Sequence, residues 1–207
     1  MKNKISEFWK WFEKNNHAYL FLDDVDQEEK ERLLENLVDE LHKYCDNIWP
    51  LIGGMPEEGK ELIITAEGDM DYFKQVEDLI SQAPDIDKWT FIDFIPATVG
   101  DPFKIDYEGV ELDTEKMWFL PLEEETDPTS IGLRICTPNY ELVKDHEFFM
   151  SAIYKVLETL IGEKTFALDV DYVEAGEVPE NPEEEGMMEL LEIYDYVEWE
   201  KKNRHIE

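Results

Sequence analysis

Acidic side chains dominate this chain and limit what it can fold into. There are 52 Asp and Glu residues against 19 Lys and Arg, a formal net charge of −33. A charge on a buried face is costly unless it is paired. Hydrophobic residues nevertheless make up 43% of the chain and aromatics 13%. That is too much for wholesale disorder, which couples low hydrophobicity to high charge. At 207 residues the chain has the length of one domain, and a domain of this size buries roughly 70% of its unfolded surface. The expectation is a single α+β domain over residues 1–207.

The same charge argues against one class of partner. Sequence-independent binding to nucleic acid needs clustered Lys and Arg, and the only arginines are Arg32, Arg134 and Arg204. Spread evenly over ~10,000 Å² of folded surface, the excess would be about one charge per ~300 Å², some ~17 Å apart. The Debye length in cells is ~8 Å, so an even spread would give solubility and little more. The acids are instead gathered. Glu174 to Glu200 holds eleven acids and no base, and Asp106 to Asp127 holds nine acids and only Lys116. Fields add within such runs, repel nucleic acid and anionic lipid, and speed encounter with a basic partner by ~10–1000-fold.

Targeting features are sparse. No apolar run approaches the ~18 residues of a membrane span, and Met1–Phe12 lacks the apolar stretch of a signal peptide. Cys45 and Cys136 fall in a helical and a strand pattern and read as two buried thiols rather than a disulfide. These features place the protein in the cytoplasm, without a membrane partner.

Hydrophobic periodicity predicts the elements. Residues 6–16 read as an aromatic helix with Ser6 as its N-cap. A second helix starts at Asp26, which has capping-box spacing to Glu29. Leu33, Leu34, Leu37, Val38, Leu41, Tyr44, Cys45 and Ile48 form its apolar stripe, and Pro50 and Gly53–Gly54 end it. Strands are predicted over 60–67, 88–95, 103–108, 116–122 and 130–137, with an acidic turn at 123–128. Pro121 marks an edge or an end of its strand. A helix carries Phe73, Val76, Leu79 and Ile80. A long helix is predicted over 141–161, with Gly162 as its C′ residue. A strand over 164–173, a linker over 176–186 and a final helix over 187–202 complete the chain. The order β-α-β…β-α-β over 60–173 is that of a split-βαβ (ferredoxin-like) sheet, mixed or antiparallel, with extra strands and flanking N- and C-terminal helices.

Motifs for chemistry are missing. His17, His42, His146 and His205 form no CxxC, HExxH or HxH pattern. The acid-rich stretches 23–28 and 67–71 do not follow the calcium-loop spacing, and the first suits a helix N-terminus. No GxSxG, phosphate-cradling or GxGxxG loop is present. The expectation is no catalytic residue, no metal and no cofactor. Two groups of side chains stand out as candidate sites. Asp93, Arg134, Asp169 and Asp171 interrupt predicted strands, either as an ion pair on a partly solvated sheet face or as a ligand or enzyme site there. Trp11, Trp118 and Trp199, together with Glu123, Glu124, Glu125, Glu183, Glu184 and Glu185, have the composition of a hot spot for a basic protein. The third reading is an acidic domain whose charge serves solubility alone.

The run ELIITAEGD, the helix YFKQVEDLISQAP, the strand KWTFIDFIPA and the N-terminal FWKWFEKN resemble a family of uncharacterised bacterial proteins carrying a domain of unknown function. The resemblance covers roughly the first hundred residues. Its motifs are structural (strand, helix, proline stop, strand), so it implies a fold and transfers no functional residue. In type, though not in motif, the chain is also similar to bacterial immunity proteins that neutralise secreted toxins.

Overall fold

The computed structural model describes residues 2–55, 59–122 and 130–203. It is an α+β structure in two compact units, Met1–Ile95 and Pro96–Glu207. The strands form three sheets, so the expected single enlarged sheet over 60–173 is not formed. The two βαβ halves close separately, because the strands flanking each helix pair within their own unit.

The first unit begins with helix α1 (Lys2–Leu20), which runs past both predicted ends and places Ser6 inside rather than at the cap. Helix α2 (Gln27–His42) starts where predicted, with the Asp26 carboxylate accepting from the Glu29 backbone N–H at 2.9 Å. Glu29 does not return the bond of a full capping box. Its carboxylate accepts from Arg32 Nε at 2.8 Å instead. Strand β1 (Trp49–Met55) follows, where the sequence suggested only a helix stop. Pro50 is tolerated because β1 is an edge strand. Gly54 is required: at φ 76° a Cβ would meet the Gly59 carbonyl oxygen at 2.5 Å. Strand β2 (Gly59–Thr65) pairs antiparallel with β1 and parallel with β3 (Trp89–Asp93), and helix α3 (Phe73–Ile80) makes the crossover.

Period-2 alternation gives this sheet one dry face. Leu62 and Ile64 are fully buried. Trp9 and Phe12 of α1 meet Phe91 edge-on at 4.7 and 5.7 Å, and Phe12 meets Trp89 at 5.0 Å. Trp9 Nε1 also donates to the Leu79 carbonyl at 2.9 Å and ties α1 to α3. Buried tryptophans usually find such a partner for the indole N–H, although that of Trp89 in the same cluster is buried without one among the described residues.

In the second unit, β4 (Lys104–Tyr107) and β5 (Val110–Asp113) form a hairpin. Its two-residue turn, Glu108–Gly109, has positive φ at both positions, the geometry that matches strand twist. The sequence reading missed β5. Strands β6 (Trp118–Leu122) and β7 (Gly132–Thr137) pair antiparallel. Helix α4 (Tyr140–Val143) and helix α5 (Phe149–Ile161) replace the one long helix expected over 141–161. Gly162, at φ 82°, ends α5 as predicted and re-aims the chain into helix α6 (Glu163–Asp169). The expected strand over 164–173 is therefore a helix over most of its length. The strand starts later, as β8 (Tyr172–Glu177), parallel to β7. The short β9 (Met188–Glu189) pairs with Trp118 and Phe119 of β6, and helix α7 (Ile193–Asn203) ends the unit. Pro121 lies beyond the two residues that pair with β9, so its missing N–H breaks no bond there.

Phe119, Leu133 and Ile135 of the sheet pack with Ile153, Val156 and Leu157 of α5 and with Leu190 and Val197 near the C-terminus. We expect Phe119→Ala to lower stability by about 3–5 kcal/mol through the cavity it leaves. Thr90→Ala, at an exposed site, is expected to stay within about 0.5 kcal/mol. Urea unfolding followed by circular dichroism reads both.

Candidate functional site

The acidic runs meet different fates. In the hairpin region, Asp106, Glu108, Glu111 and Glu115 face solvent. Asp113 does not add to their field, since Lys104 and Lys116 both reach its Oδ2 at 3.1 Å. These contacts hold its carboxyl below the usual range. Glu123, Glu124 and Glu125 lie outside the described residues. The hairpin surface is thus partly neutralised by its own lysines.

In the C-terminal run, Glu174 pairs with Arg134 and Glu198 with Lys201, but most of the acids are left without an ion pair among the described residues. Glu177, Glu180, Glu183, Glu184, Glu185, Glu189, Glu192 and Asp195 are all exposed. Among the described residues, none of these eight has a Lys or Arg within ion-pair distance. Glu183–Glu185 sit in consecutive turn positions between β8 and β9, where neighbouring Cα atoms are ~3.8 Å apart. Trp118 stands on β6 directly opposite Glu189 and is half-buried. Trp199 is 59% exposed on α7, with Glu198 and Glu200 on either side in sequence. Trp11 has a different role. It is half-buried in an aromatic row, 6.3 Å from Phe8 and 6.0 Å from Tyr19, within the first unit.

The four strand charges do not form one constellation. Asp93 ends β3 in the first unit and is exposed. Arg134 pairs with Glu174, the neighbour in register on β8, rather than with any of the three aspartates. Gly176 makes room for it: a Cβ there would touch Arg134 Cδ and Cys136 Sγ at 3.4 Å. Tyr172 Oη adds a hydrogen bond to Glu174 at 3.0 Å, and Arg134 keeps that carboxyl below its usual range. Asp169 closes α6 and pairs with Lys201 at 3.1 Å. Asp171 Oδ2 accepts from the Ile131 backbone N–H at 3.0 Å. Arg134, Asp169 and Asp171 each have a local structural partner, and Asp169 and Asp171 are not on a strand at all.

Cys45 and Cys136 are both free, the first half-buried and the second buried. Burial pushes the Cys136 thiol up to about 11, away from nucleophilic use. His42 Nε2 lies 3.2 Å from the Ile48 carbonyl, and its ring meets Trp49 edge-on. Among the described residues, no three His, Cys, Asp or Glu side chains converge as metal ligands. No helix among them is long and apolar enough to cross a membrane.

Two clefts accompany these surfaces. One of about 540 Å³ lies in the second unit, between the hairpin residues Lys104–Asp106 and Glu111–Asp113 and the Thr137–Asn139 segment. A second, of about 310 Å³, lies in the first unit against α2 and β1. Sequence reading missed its charged end. Lys60 is 2% exposed and donates to Asp23 Oδ2 at 2.6 Å, while Lys30 donates to Asp23 Oδ1 at 2.8 Å. Lys60 follows the alternation that buries Leu62 and Ile64, and this period-2 pattern was its one available signal.

The two lysine hydrogen bonds bring the Asp23 carboxyl down to about 2. A depressed carboxylate stabilises the fold fully above its unfolded value, near 4, and loses that contribution as pH falls towards the folded one. Asp23→Asn is expected to remove this component. The difference in urea midpoint between the two proteins should be largest above about pH 4 and shrink towards about pH 2. The chain matches no family model, no curated protein and no solved structure.

Proposed function

We propose that this is a non-enzymatic cytoplasmic protein that binds a basic protein partner, in an immunity-like or regulatory role, through the acidic surface of its C-terminal third. The observation that carries the reading is the set of eight exposed carboxylates from Glu177 to Asp195 without cationic neighbours among the described residues. Their spacing at Glu183–Glu185 is well within the ~8 Å Debye length, so the turn acts on an approaching charge as one multivalent anion. Trp118 beside Glu189, and Trp199 on α7, supply apolar area next to that charge. Aromatic anchors set in a charged rim are the usual composition of a binding hot spot. The hairpin acids around Asp106 and Glu111 contribute less, because Lys104 and Lys116 offset them.

The competing reading, an enzyme or ligand site on an open sheet face, draws no support from Asp93, Arg134, Asp169 and Asp171. Their charges are engaged in separate local contacts or, for Asp93, lie on a different sheet. The reading that charge serves solubility alone is separated by experiment. The immobilised full chain should capture a protein of pI above ~9 at low salt and release it as ionic strength rises. The triple variant Glu183→Gln, Glu184→Gln, Glu185→Gln should slow association by about tenfold without altering the circular dichroism spectrum. Capture of nothing at low salt, or equal capture by the triple variant, would sink the proposal.

A further inference from the structure

The cleft of the first unit gathers positive charge in a chain whose total is strongly negative. Its long walls are Leu34 and Val38 on the outer stripe of α2 and Pro50 and Ile52 on β1. All four are half-buried, so the apolar lining is open to an entering group. At one end sit Lys30, Lys60 and Asp23. Two ammonium groups there share one carboxylate, with one oxygen for each. The end of the cleft therefore carries one net positive charge in a chain whose total is −33.

An ammonium has three N–H donors. Each lysine spends one on Asp23 and shows no second acceptor among the described residues. Lys60 is nearly sealed from bulk water, at 2% exposed. Asp23 itself is 56% exposed. It lies in the short segment between α1 and α2. A second carboxylate placed in the cleft would meet the remaining donors and bring the local charge to zero. Its attached chain would then lie along Leu34, Val38, Pro50 and Ile52. The volume, about 310 Å³, is at the small end of the range for small-molecule sites.

We propose that this cleft binds a small aliphatic monocarboxylate, its head shared between Lys30 and Lys60 alongside Asp23 and its tail against α2 and β1. The chemistry selects that class. A purely apolar ligand would leave the spare donors unmet, an amine would face two like charges, and a dianion would overshoot the single excess positive charge. The site is independent of the acidic surface of the second unit, so either proposal can fail alone.

The test titrates octanoate into the full chain by calorimetry, with amide chemical shifts mapping the location. Saturable one-to-one binding below about 5 mM is expected, with shifts centred on Leu34, Val38, Ile52 and Lys60. Octan-1-ol and octylamine should bind at least about tenfold more weakly. Lys30→Gln, at a partly exposed position, should weaken octanoate by about fivefold to tenfold while the circular dichroism spectrum stays unchanged. Val38→Trp should fill the cleft and abolish binding while the circular dichroism spectrum stays unchanged. Absence of saturable binding, equal binding of octanol, or full binding by the Val38→Trp variant would each overturn the assignment.

Discussion

Mutual repulsion among carboxylates is the constraint to which the structure answers. A net charge of −33 on 207 residues raises the free energy of any compact state. The fold meets it in two ways. Most large apolar side chains are gathered into the core, which leaves most of the acids in water. The few cations are then placed where they bind carboxylates in pairs or triads. Asp23 takes Lys30 and Lys60, Asp113 takes Lys104 and Lys116, and Lys201 joins Asp169 to Glu198. Most of these contacts are exposed and individually weak. Their collective effect is to thin the negative field in some places and leave it intact in others.

That distribution is what separates surface from site. The hairpin β4–β5 and the C-terminal third are both acid-rich in sequence, yet two lysines converge on Asp113 of the first, while the second keeps an unbroken set, Glu177 to Asp195, without a cation among the described residues. Composition alone cannot draw this distinction, because Lys104 precedes the acidic run it neutralises. Lys60 is a parallel case. Only the alternation of its strand marks it as buried. It goes inside because it shares the inward face of β2 with Leu62 and Ile64, and Asp23, 37 positions earlier, supplies the oxygen that accepts from its Nζ.

Local signals were legible and long-range ones were not. Asp26 as an N-cap, Gly162 as a helix end, and the stripes of α2, α3 and α5 follow from short-range chemistry that the sequence displays directly. The α+β class followed from the same periodicities. The errors came from ambiguity of period and from pairing. Phe166, Leu168, Val170 and Tyr172 alternate like a strand, but Phe166 and Val170 also stand four apart, and after Gly162 the chain takes the helical option. Strand β1 was hidden because Pro50 and two glycines look like a terminator, and it is only its seven-residue pairing with β2 that makes it a strand. The candidate sites divide likewise. Trp199 and Glu183–Glu185 are as exposed as their sequence suggested, whereas Arg134 chose Glu174, a residue visible as its partner only once β7 and β8 are aligned.

The outer strands of the second unit's main sheet carry a further consequence. Strand β8 has Glu174 and Glu177 on its length, and the opposite edge, β9, is two residues long and ends in Glu189. Unpaired strand borders are templates on which identical chains can stack. Here two molecules approaching border to border bring Glu177 or Glu189 against its like, and the β9 border offers a ladder of only two residues. The sheet is thereby guarded against self-templated fibre growth while its carboxylates are ionised, and that guard weakens as the medium is acidified towards the isoelectric point near 4.2.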